Sequence, residues 1–163
     1  MSMFKVLLLC TFALASPAMA EPLADMSGSW SGSGWARERP QGPQETIRCK
    51  IDNTFDEATS TLNISGRCAV PGRQLTMSGI LSGSDGSDRI TGRWSNPDGI
   101  GSARVIGFQR DGIVAFTFAA NDLTTGQDLA QNVEWRTLEN TLRLRSTDRS
   151  DPNIMMSDIT FSK

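Results

Sequence analysis

The sequence predicts an all-β fold: an antiparallel up-and-down meander of eight to ten strands, closing into a barrel and carrying one disulfide. Three observations lead there. From Gly28 onward apolar and polar residues alternate with a period of two, which suits strands and not helices. Turn residues break the alternation every ten to thirteen positions, the rhythm of a sandwich or barrel. Gly66, Gly79 and Gly92 recur every thirteen residues on the apolar side, where a missing side chain lets a sheet bend towards closure.

In chain order, residues 1–20 read as a secretory signal peptide. Lys5 supplies the positive start, residues 6–15 the apolar run, and Ala18-Met19-Ala20 the small-x-small cleavage pattern. Cleavage after Ala20 implies a periplasmic or secreted protein, and Glu21 at the new terminus carries no lipidation signal. Residues 21–163 then form a single barrel domain. Removing Lys5 leaves 15 cations against 18 carboxylates, a net charge of −3, and Cys10 departs with the signal. The mildly acidic balance, without a basic run, argues against nucleic acid and anionic membrane surfaces as partners.

The first strand lies in "GSWSGSGW". It lacks the Gly-Lys-Ser/Thr of a phosphate loop, and the centre of Gly28-Ser29-Trp30-Ser31-Gly32 is tryptophan where a nucleophile elbow needs serine. Its glycines permit a bulge, and without one Trp30 and Trp35 face opposite sides. A loop over residues 57–60 sets Phe55 against Leu62, Ile51 against Gly66 and Cys49 against Cys68. The two thiols therefore fall opposite one another, and an even pair in an exported chain predicts one disulfide. A loop over residues 71–74 brings Gly66 beside Gly79.

A type I′ turn at Asp85-Gly86 pairs Leu81 with Ile90, Gly79 with Gly92 and Met77 with Trp94. The turn at Asn96-Pro97-Asp98-Gly99 puts Trp94 opposite Gly101, Gly92 opposite Ala103 and Ile90 opposite Val105. A second type I′ turn at Asp111-Gly112 brings Gly107 to Phe116 and Val105 to Phe118. A turn over residues 138–141 sets Trp135 on Leu144, and the last strand sets Ile159 against Leu142. On this register the three glycines form one straight row across neighbouring strands.

Composition excludes several chemistries. With no histidine or tyrosine, a Ser-His-Asp hydrolase and an imidazole metal site are ruled out. Asp25, Asp52, Asp56 and Glu57 lack the spacing of a calcium loop or a catalytic carboxylate pair. The reading is therefore of a protein that is not an enzyme, with no catalytic residues, no metal site and no cofactor. Arg67, Arg89, Arg93, Arg104, Arg143 and Arg145 alternate with the apolar positions and point outward, either solvated and paired across strands or forming a patch for an acidic partner. Trp30, Met77, Trp94, Phe116, Phe118 and Trp135 occupy the apolar face. They are the candidate ligand-binding residues, with ordinary core packing as the alternative.

Gly28-Ser29-Trp30 opening an antiparallel meander resembles the Gly-x-Trp of lipocalins and avidins. The resemblance implies a ligand-holding barrel, a tryptophan closing one end, and, as in lipocalins, a late-strand arginine over it, here Arg143 or Arg145. A Gly-x-Trp followed by two cysteines bracketing a hairpin is also similar to the small bacterial periplasmic inhibitors of secreted metalloproteases. That likeness implies an N-terminal segment, residues 21–27, that enters a protease active site. The expected function is an exported binding module for a small apolar or amphiphilic ligand or an envelope protein, with no membrane span in the mature chain. The alternatives are the protease inhibitor and a small outer-membrane barrel whose apolar face meets lipid, for which the absence of tyrosine leaves poor interfacial girdles.

Overall fold

A computed structural model describes residues 21–84 and 87–163; the expected signal segment, residues 1–20, and the Asp85-Gly86 turn lie outside the described residues. The chain forms a short helix, α1 (Pro22–Asp25), and then ten strands: β1 (Gly28–Ala36), β2 (Glu45–Asp56), β3 (Thr61–Val70), β4 (Arg73–Ser84), β5 (Ser87–Asn96), β6 (Gly101–Arg110), β7 (Ile113–Asn121), β8 (Asp128–Leu138), β9 (Thr141–Asp148) and β10 (Met155–Ser162). Each strand pairs antiparallel with the next, and β1 pairs with β10 to close the barrel. Closure leaves no strand with a row of unpaired backbone groups.

The alternation places side chains as the period of two requires. In β3, Leu62, Ile64, Gly66, Cys68 and Val70 are buried, and the residues between them are exposed. One continuous core fills the barrel, and an aromatic column crosses it. Trp94 lies 5.6 Å from Phe116 and 6.4 Å from Trp135, and Trp135 lies 5.8 Å from Phe161. The expected disulfide is present: Cys49 and Cys68 are directly opposed on β2 and β3 and bonded.

The registers expected around Cys49–Cys68, Gly107–Phe116 and Trp135–Leu144 are observed. Asp111 and Gly112 both have positive φ, at 51° and 72°, as a type I′ turn demands. Four ladders differ from expectation, each by two residues. Pro71-Gly72 alone makes the β3–β4 turn, with Gly72 at φ 81°, so Gly66 faces Met77 rather than Gly79. A register shift between Gly83 and Ser84 sets Gly79 against Trp94 and Leu81 against Gly92. The β5–β6 loop spans four residues between Asn96 and Gly101, so Trp94 faces Ala103 and Gly92 faces Val105. A bulge between Met155 and Ser157 sets Ile159 against Leu144. β1 runs in unbroken register against both neighbours.

The three glycines therefore lie on a diagonal, not in a row, and each admits a close neighbour. A Cβ on Gly66 would lie 2.5 Å from Cγ2 of Ile51, and one on Gly79 would lie 2.8 Å from the Trp94 ring. A Cβ on Gly92 would collide with the Ile80 carbonyl. Gly32 makes room for the Phe161 ring in the same way, whereas Gly34 and Gly107, like Gly92, make room for the backbone of the adjoining strand. In a barrel this full, a glycine keeps the packing dense without overlap wherever a bulky side chain or a neighbouring strand's backbone comes close.

Candidate functional site

The two ends of the barrel are built differently, and polar residues at inward positions mark both. At one end α1 folds into the opening and buries Leu23 and Met26 completely. Gln109, inward on β6, accepts the Leu23 backbone N–H through Oε1 at 3.1 Å. Asn53, inward on β2, donates through Nδ2 to the Met26 carbonyl at 2.9 Å, and the Trp30 indole N–H donates to the same oxygen at 3.0 Å. This end is sealed. The Gly-x-Trp tryptophan takes part in the seal, but the cation over its ring is Lys163, with Nζ 4.8 Å from the centroid, and neither implied arginine. Arg143 and Arg145 instead grip Asp158 on the outer wall, at 2.6 and 3.3 Å. The hydrogen bond from Arg143, foremost, holds the Asp158 carboxyl below the ordinary range while burial opposes it, and the same bond raises Arg143.

The other end is open. A cavity of about 180 Å³ enters there, lined by apolar atoms of Ile47, Leu75, Met77, Trp94, Leu144 and Ile159. Cys68 also borders it, with Sγ 3.6 Å from Met77 Sδ. Ser146 and Ser157 face inward here and share a hydrogen bond of 2.7 Å. A wider vestibule of about 560 Å³ continues outward past Ala36, Arg37, Leu75, Asn96 and Gln131, which line both spaces. Its rim carries Glu38, Glu45, Asp98 and Asp122 against Arg37 and Arg73. Arg73 bridges Glu38 and Glu45 at 2.5 and 2.8 Å. Asp122 caps its own loop: the Thr125 backbone N–H, foremost, holds its carboxyl below the ordinary range. At the junction Arg37 Nε is buried and has no hydrogen-bond partner among the described residues.

The six sequence-selected residues divide by depth. Trp94 and Met77 line the cavity. Phe116 and Trp135 back Trp94 from the core, Phe118 is buried beside them, and Trp30 belongs to the sealed end. Sequence reasoning missed Arg37, Asn96, Gln131, Ser146 and Ser157. Their signal was available as polar residues where the alternation calls for apolar ones, or at strand ends.

A larger depression of about 1030 Å³ lies on the outer wall, over Ser31, Ser33, Arg48, Lys50, Ser65 and Arg67. It is a trough on the sheet exterior, whereas the space at the barrel mouth reaches the apolar side chains Trp94 and Met77. Among the described residues no three metal-ligating side chains come together, and no helix is long and apolar enough to cross a membrane.

No family model matches the chain, and no curated protein sequence matches it. In three dimensions it is similar to Rv2717c from M. tuberculosis, with a TM-score of 0.61 and 13% identity, over 88% of this chain and 96% of that one. At that identity the likeness shows the ten-stranded barrel fold alone.

Proposed function

We propose that the protein is an exported, non-enzymatic binding module that takes a small amphiphilic ligand through the open end of its barrel. The observation that carries this reading is the asymmetry of the ends: one is sealed by α1 and Trp30, and the other leads to Trp94 and Met77 through an apolar cavity. Size defines the ligand. An engineered apolar cavity of about 150 Å³ takes up benzene, so the inner space of about 180 Å³ admits one ring or a short branched chain. The polar part of the ligand sits in the vestibule, where Arg37 Nε offers a buried donor to an acceptor oxygen. Export is supported by the Cys49–Cys68 disulfide.

Two other readings have less support. A protease inhibitor working through residues 21–27 would have to withdraw Leu23 and Met26 from the core, both fully buried. A lipid-embedded barrel needs an apolar exterior, whereas Arg48, Lys50, Arg67, Arg93 and Arg104 point outward from mid-strand.

Native mass spectrometry of the purified protein tests the proposal, together with quenching of tryptophan fluorescence by small aromatic carboxylates. Saturable binding that Trp94→Ala weakens supports it. A wild-type protein with neither a retained small molecule nor a saturable response would overturn it.

A further inference from the structure

The small net charge of the chain conceals a spatial division. Arg48, Lys50, Arg67, Arg89, Arg93 and Arg104 all stand outward on the barrel wall, while Glu38, Asp56, Asp98, Asp111, Asp122 and Glu139 lie at strand ends and turns. The wall is basic and the ends are acidic. A whole-chain charge of −2 therefore says little about what the wall attracts.

On one sector of the wall this basic field surrounds apolar side chains. Ile80, Ile106 and Phe108 are 49%, 57% and 37% exposed, on the outer faces of β4 and β6. Arg93, between those strands on β5, is directly opposite both Ile80 and Arg104, and Arg89 is opposite Phe108. Two arginines facing each other across a ladder destabilise it, and among the described residues Arg93 finds only the Ser102 hydroxyl, at 3.3 Å. Among the described residues Arg89, Arg93 and Arg104 have no carboxylate within ion-pair distance. Arg110 extends the patch by stacking on Phe108 at 4.8 Å, with Asp88 as its acid partner at 3.6 Å.

We propose that this sector docks the protein on a bilayer surface rich in anionic phospholipid. Ile106 and Phe108 enter the headgroup layer, and Arg89, Arg93 and Arg104 bind its phosphates. Charge complementarity selects an anionic occupant, and the exposed apolar centre selects one with hydrocarbon beneath its charge. The shape selects lipid over an acidic protein. The barrel is closed, so among the described residues it offers no strand edge for augmentation, and the three depressions described above lie at the mouth and on the β1–β4 wall. A fluid layer of phosphates conforms to a convex wall without needing either. The proposal does not depend on the ligand in the barrel.

Sedimentation of the purified protein with vesicles tests it, comparing phosphatidylcholine alone with phosphatidylcholine mixed with phosphatidylglycerol. Binding is expected only to the mixed vesicles and to fall with added salt. Arg93→Gln with Arg104→Gln should weaken it about fivefold per arginine, and Ile106→Ser with Phe108→Ser should abolish it, without changing the denaturation midpoint by more than a surface substitution does. Arg48→Gln with Arg67→Gln, on the other wall, should leave most of the binding. Absence of binding to mixed vesicles, binding unaffected by the Ile106 and Phe108 changes, or equal loss from the control pair would each overturn the proposal. So would a wild-type protein that ignores vesicles and self-associates through this face.

Discussion

The backbone N–H of Leu23 donates to the side-chain oxygen of Gln109, 86 positions later in the chain and 3.1 Å away. That bond ties the N-terminal helix to the sixth strand and makes α1 part of the barrel. Gln109→Leu removes the acceptor and leaves a buried N–H unsatisfied, a loss of about 1–3 kcal/mol. Urea denaturation should show the lower midpoint, and limited proteolysis should cut first within residues 21–27. A variant as stable and as resistant as wild type would mean that the seal does not depend on this bond.

The disulfide closes a loop with a sequence separation of 19. Restricting an unfolded chain by a loop of that length stabilises the fold by about 3 kcal/mol. Denaturation with and without reductant should differ by that amount. Coincident curves would show that the bridge does little for stability.

Gly79 faces Trp94 so closely that a Cβ would lie 2.8 Å from the ring. Gly79→Ala must push Trp94 aside, at a cost of about 1–3 kcal/mol. Because Trp94 floors the cavity, tryptophan emission and ligand uptake should change together. Gly72→Ala, where a Cβ would meet nothing within 4 Å, separates crowding from backbone conformation. Gly72 has positive φ, so that variant should lose stability and leave emission unchanged.

Asp158 accepts hydrogen bonds from Arg143, at 2.8 and 2.6 Å, and from Arg145 at 3.3 Å. Its folded-state pKa therefore lies below its unfolded value. The stabilisation is complete above the unfolded value, about pH 4, and disappears as pH falls through the folded one. Half-exposed arginines limit it to about 1 kcal/mol. Asp158→Asn should lower stability at neutral pH, and its deficit should shrink in acid. A deficit constant across that range would show that charge is not its source.

The sequence by itself determined which side of the strands after the first faces inward, the Cys49–Cys68 pairing and the number of strands to within two. Those properties rest on a period of two and on local turn chemistry, and both are carried by a few adjacent residues. Every misjudged ladder was displaced by two residues, so each side chain kept its face and lost only its partner. Bulges at Gly83 and in β10, the two-residue turn at Pro71-Gly72 and the longer loop after Asn96 set those partners. Only the tertiary structure decided which end is sealed, because four helical residues are too few to show periodicity and their hold comes from Asn53 and Gln109. Only it separated a basic wall from acidic ends, since charges far apart in the chain become neighbours when ten strands close.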